Sequence, residues 1–102
     1  MSSGNRSVNP TKTANTPAII TTAGDVLSAN DDRNGFMVQN VGTGVVYVLL
    51  GTSASSTVFH VVLKGGSADS DGLGGSFSLF DCIYKGVVSI AGTTPKVVVT
   101  EL

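Results

Sequence analysis

Charge is scarce in this chain. Asp, Glu, Lys and Arg together make up 13% of its 102 residues, against about 25% in an ordinary soluble domain. Trp is absent, and there are one Cys, one His and three Pro. Each shortage excludes something. A net charge of −1 gives no global basic field for nucleic acid. Val45 to Leu50 is among the longest unbroken hydrophobic runs, whereas a membrane-spanning helix needs about 20 residues. Met1 to Arg6 contains no apolar h-region, so no signal peptide is expected. Cys82 stands alone and can close no intrachain disulfide. Together these features point to synthesis and folding in a reducing cytoplasm, and a particle assembled there and later released fits them equally. A chain of this length is one small domain. It should expose about 5,400 Å², thinly covered by its charged side chains, so something other than charge must prevent random self-association.

What is present divides once. Met1 to Thr16 is Ser, Asn and Thr with Arg6 and Lys12, no acid, and almost nothing apolar. Such a segment cannot bury enough surface to offset its own ordering entropy. It reads as an extended polar arm of charge +2, leaving residues 17–102 with four bases and seven acids, or −3. Arg6 and Lys12 are its candidate partner-binding residues.

From Pro17 onward the pattern is short strands between Gly-rich turns. Fifteen Val and eleven Thr suit a pleated surface. Thirteen Gly, with no sustained apolar stripe at helical spacing, argue against helices. Strands are expected at Ala18–Thr22, Gly35–Asn40, Val45–Leu50, Thr57–Lys64, Ser76–Phe80, Gly86–Ala91 and Lys96–Glu101. One more is expected near Val26–Ser28 or Cys82–Tyr84. The fold class is therefore all-β: a small antiparallel β-sandwich or jelly-roll-like barrel of about 7–8 strands.

Alternation sorts the faces. In Thr57–Lys64, Phe59, Val61 and Leu63 share one face, with Val58, His60, Val62 and Lys64 on the other. Val45–Leu50 is apolar on both, and so small a sandwich has little protein to cover a second apolar face. Val46, Val48, Leu50, Val58, His60 and Val62 are thus the candidate interface with another subunit. Among the turns, Asn40-Val41-Gly42-Thr43-Gly44 is expected to place Gly where φ is positive. Asn34-Gly35 marks a turn before a strand, and Lys64–Gly75 is the longest stretch without predicted structure.

Residues that could carry chemistry are few. His60 alternates with Val inside a strand, which favours a core or interface role over a general base. No Ser sits in a nucleophile elbow. Cys82 lies beside Asp81, whose charge would oppose thiolate formation. One Cys and one His cannot build a zinc site. Asp69-Ser70-Asp71-Gly72 is similar to the start of a calcium loop but lacks its later ligands. A polar turn is the reading preferred there and at Asp31-Asp32. Gly72-Leu73-Gly74-Gly75 follows no strand and opens no helix, so it is a weak phosphate cradle. Tyr47 and Tyr84 could stack on a sugar, though without any Trp. No catalytic residue, cofactor or metal is expected.

The order of strands and turns is itself informative. Arg33-Asn34-Gly35-Phe36-Met37-Val38-Gln39-Asn40 is followed by Gly44-Val45-Val46-Tyr47-Val48. Later come Tyr84-Lys85-Gly86-Val87-Val88-Ser89-Ile90-Ala91-Gly92 and Val97-Val98-Val99-Thr100-Glu101-Leu102. Residues 33–102 resemble a group of small all-β structural proteins of tailed bacteriophages. In these, an Arg-x-Gly turn leads into a strand ending Gln-Asn, a Val-Tyr-Val strand follows, and the chain closes on Thr-Glu-Leu. The resemblance implies a virion component that decorates and cements the capsid, with no catalytic residues to carry over. It implies a homo-oligomer, a trimer before a dimer, bridging subunits of the major capsid protein on the outer surface of the shell. A tail, fibre or connector module and a carbohydrate-binding β-sandwich module are the alternatives.

Overall fold

The abundance of Val sets the architecture. A β-branched side chain has few rotamers to lose on a pleated sheet and packs well against its cross-strand neighbour. In the computed structural model, which describes residues 14–81 and 84–102, all regular structure is strand. The strands are β1 (Ile19–Ile20), β2 (Gly24–Leu27), β3 (Gly35–Asn40), β4 (Val46–Leu50), β5 (Val61–Leu63), β6 (Ser76–Phe80), β7 (Val88–Ala91) and β8 (Val97–Glu101).

They form two four-stranded antiparallel sheets in the orders β1-β8-β3-β6 and β2-β7-β4-β5. The first strand pairs with the eighth, the second with the seventh, the third with the sixth and the fourth with the fifth. That is one long hairpin rolled up on itself, the topology of a jelly roll. The all-β sandwich expected from sequence is therefore the observed fold. Its eighth strand is β2, and Cys82 and Ile83 lie outside the described residues.

Alternate residues of each strand fill the space between the sheets. Phe36, Val38, Val97 and Val99 meet Leu27, Val46, Val48, Leu63, Val88 and Ile90. Phe36 and Phe77 make an edge-to-face contact at 6.1 Å, the arrangement their ring quadrupoles favour. Each such side chain withdrawn from water contributes about 1.5–3 kcal/mol before ordering costs.

Two buried polar side chains stitch the sheets together at opposite ends of β3. Arg33 is fully buried. Its Nε donates to Glu101 Oε2 at 2.9 Å, and its terminal nitrogens donate to Gly86 O at 2.8 Å and Ser28 O at 2.6 Å. The guanidinium also lies 5.6 Å from the Phe36 ring centroid. At the other end, Asn40 Nδ2 shares its hydrogens among Gly44 O, Leu63 O and Lys64 O, and its Oδ1 accepts from Gly42 N at 3.0 Å. Both ends of the Gly35–Asn40 strand are thereby tied to the opposite sheet.

The turns differ from the expectation in detail. The tight turn precedes Asn34-Gly35: Arg33 N donates to Asn30 O, and Asp32 N to Asn30 Oδ1. Neither Gly42 nor Gly44 has positive φ; among the described residues that conformation falls at Gly24, Gly51 and Gly72 and at Ser53, Ser70 and Asp81. Close approach explains Gly42 instead, since a Cβ there would sit 2.9 Å from the Cβ of Lys96. The 64–75 segment is a pinned loop. Gly66 N donates to Gly42 O, Ser70 N to Val41 O, and Gly75 N to Lys64 O.

Just before β1, Pro17 has no amide hydrogen to give β8. The Asn15 carboxamide serves as a surrogate strand unit. Its Nδ2 donates to Val99 O at 3.0 Å, and its Oδ1 accepts from Glu101 N at 2.6 Å. Arg6 and Lys12 lie outside the described residues.

Candidate interaction surface

β4 places the interface candidates on two different sides. Val46 and Val48 point into the sandwich and are 0% exposed, and Leu50 packs against the same core. Val46 and Val48 are core residues, out of reach of a neighbouring subunit, whereas Leu50 is only partly buried. Their alternation with Tyr47 and Leu49 sets this: β4 pairs with β7 and β5 along its edges and faces the opposite sheet on its inner side.

The second apolar face of Val45–Leu50 is covered in part by the chain itself: Tyr47 and Leu49 are half-buried, while Val45 stays exposed. The strand expected over Thr57–Lys64 contracts to Val61–Leu63. Phe59 consequently leaves the face it would share with Val61 and Leu63. Its ring packs on Tyr47 instead, at 4.9 Å between centroids. Period-two reading fails here because the strand does not start until Val61. The segment before it also caps a buried hydroxyl on β7: Ser89 Oγ donates to Gly51 O at 2.7 Å and accepts from Ala54 N at 3.1 Å.

This covering passes the apolar surplus one layer outward. Val62, directly opposite Tyr47 across the β4–β5 ladder, is 51% exposed; Phe59 is 39% exposed and Val58 52%. Tyr47, Phe59 and Val62 form one apolar strip on the outer side of the β2-β7-β4-β5 sheet, continued along the chain by Val58. Val58 and Val62 are thus exposed as the interface reading needs. Tyr47 and Phe59 are the residues that reading omitted.

His60 is exposed beside this strip, and its role is local. Its amide donates to Val48 O at 2.8 Å, and its Nδ1 accepts the Leu50 amide at 3.0 Å. The imidazole thus extends the β4–β5 pairing past Val61, the first residue of β5.

The acidic Asp69-Ser70-Asp71-Gly72 turn spends its carboxylates within the chain. Asp71 accepts the amides of Leu73, Ala68 and Ser67 at 2.8–2.9 Å. These bonds, the Leu73 one first, hold its carboxyl below its ordinary pKa. Asp69 pairs with Lys96 Nζ at 2.6 Å on the surface. Among the described residues, no three His, Cys, Asp or Glu side chains gather where they could hold a metal ion. The two tyrosines are not one platform. Tyr47 lies under Phe59, while the Tyr84 hydroxyl donates to Val87 O.

Compared with known proteins, the chain matches no family model, no curated protein and no solved structure.

Proposed function

We propose that this chain is a structural virion protein of a tailed bacteriophage, which decorates the capsid and cements neighbouring subunits of the major capsid protein. The observation that carries the reading is the Tyr47–Phe59–Val62 strip: a solvent-facing apolar surface on a rigid sheet, in a chain with little charge to keep it apart from neighbours. The sequence resemblance over residues 33–102 supplies the partner. In this reading the strip and Val58 rest on the outer surface of the shell, and the basic arm with Arg6 and Lys12 reaches acidic groups on a neighbouring subunit. Each contact is individually weak. Contacts linked through one rigid sandwich, and through an oligomer of it, raise one another's effective concentration. The protein is made in the host cytoplasm and resides on the particle.

Purified shells provide the test. Phe59→Ser combined with Val62→Ser should weaken shell binding about tenfold or more, with the far-ultraviolet circular dichroism unchanged. Undiminished binding would overturn the assignment of the surface. Binding confined to tails would replace capsid decoration with a tail, fibre or connector module. A glycan-array signal lost on Tyr47→Ala would favour the carbohydrate-binding module.

A further inference from the structure

The two sheets have four edge strands between them: β1, β6, β2 and β5. An edge is a row of unpaired backbone groups, and folded chains ordinarily blunt it with brevity, charge, Pro or a bulge. Three of the four are blunted. β1 is two residues long and follows Pro17. β2 carries exposed Asp25 and a register shift between Asp25 and Leu27. β5 is three residues long and runs into Lys64. β6, Ser76-Phe77-Ser78-Leu79-Phe80, has five residues, no charge, no Pro and no register shift.

The register shows which groups of β6 are free. Asn40 N donates to Gly75 O while the Gly75 amide donates to Lys64 O, so two and four residues further on Phe77 and Leu79 direct their backbone groups at β3. The N–H and C=O groups of Ser76, Ser78 and Phe80 therefore point away from the sheet. The inward side chains tell the same story. Phe77 and Leu79 face the core yet remain only half-buried, whereas Phe36 and Val38 on the neighbouring β3 are fully buried. Among the described residues, no strand lies on the far side of β6.

We propose that β6 pairs antiparallel with β6 of a second copy of this chain, about a two-fold axis through Ser78. The strand is complementary to itself in one register. Ser78 meets the partner copy's Ser78, Ser76 meets Phe80, and Phe77 meets Leu79. The outward backbone groups of Ser76, Ser78 and Phe80 then bond one another. Phe77 and Leu79 stay on the core side in both copies and cover each other's exposed flanks. The β1-β8-β3-β6 sheets become one continuous eight-stranded sheet, closed as a dimer. This pairing does not depend on the capsid reading. It also makes the oligomer two-fold, where the resemblance implies a trimer first.

Sedimentation equilibrium of the purified full chain tests it, together with site-directed cross-linking. The wild-type chain should be a dimer. Ser78→Pro removes an amide that β3 does not use and should raise the dimer Kd about tenfold to a hundredfold. Ser78→Lys sets two like charges face to face on the axis and should do the same, so a folding defect in one variant leaves the other decisive. In a Cys82→Ser background, Ser78→Cys should oxidise to a disulfide-linked dimer. Ser76→Cys, which faces Phe80 rather than its own copy, should not. A chain that stays monomeric up to about 1 mM, an oligomer indifferent to both Ser78 variants, or equal cross-linking at positions 76 and 78 would each overturn the proposal. Shells play no part in the experiment, so its failure and that of the capsid assignment are separately visible.

Discussion

The two ends of β3 solve one problem with different chemistry. Each must hold two sheets at a fixed separation where strands give way to turns, and each does so with a single buried side chain. At the Arg33 end the side chain is an ion, with the Glu101 carboxylate as counter-charge and carbonyls of Ser28, Tyr84 and Gly86 accepting from its terminal nitrogens. At the Asn40 end it is a neutral amide matched to three carbonyls and one amide hydrogen. An ion withdrawn from water is costly unless every donor is matched, whereas a neutral amide risks only its hydrogen bonds. The same geometric task therefore carries unequal stakes.

The largest expected effect breaks the ionic end. Arg33→Ala leaves Glu101 and the carbonyls without their donor and should cost about 3–5 kcal/mol, measured by urea denaturation. Arg33→Met with Glu101→Leu should recover only part of that loss, since the carbonyls of Ser28 and Gly86 remain without a donor. Complete recovery would mean that the carbonyl contacts carry no weight. At the neutral end, Asn40→Ala should cost less, about 2 kcal/mol. Asn40→Asp sharpens the contrast. Its carboxylate would face three carbonyl oxygens, which holds that carboxyl above its ordinary pKa. Its stability should accordingly improve relative to Asn40→Ala as the pH falls and worsen as it rises. If Asn40→Ala cost more than Arg33→Ala, the ranking of the two ends would be reversed.

The smallest effect belongs to the loop resting on the Asn40 end. Asp71 titrates below its ordinary pKa because Leu73, Ala68 and Ser67 donate to its carboxylate. With a lowered folded value, that contribution is present above the unfolded pKa, about 3.9, and is lost as the pH falls through the folded one. Protection factors of the Ser67, Ala68 and Leu73 amides should drop in acid. Those around Arg33 should not follow the same transition. Asp71→Asn should remove the pH dependence and leave global stability nearly unchanged.

Several elements were legible in the residues alone. Gly35–Asn40 and Ser76–Phe80 have the observed bounds because their alternation is clean and a turn limits each side. The location of the apolar strip was not legible. Val45–Leu50 announces two apolar faces, but which one meets the core depends on the partner sheet. What covers the other depends on Phe59 leaving a strand that composition would have continued. The buried polar residues are a third case. Arg33, Asn40 and Glu101 stand inside the quoted phage-like motifs. Their pairing, however, spans 68 residues of sequence in the Arg33–Glu101 bond and has no local signature. Structure gives those motif residues a mechanical reading: the Arg-x-Gly turn and the terminal Thr-Glu-Leu hold each other, through Arg33 with Glu101 and Gly35 with Leu102.

The rolled-hairpin order also governs when the molecule can fold during its synthesis. β8 is translated after the other seven described strands, yet it lies between β1 and β3 and carries the counter-charge of a buried arginine. Until Val97–Glu101 leaves the ribosome, β1 has no neighbour, β3 is paired on one side only, and Arg33 has no carboxylate to meet. Early segments must wait in an open state, with closure left to contacts of long sequence separation, which form slowly. A chain cut short before Val97 would lack the middle of a sheet rather than a trailing end. The fold thus cannot close until Val97–Glu101 is in place.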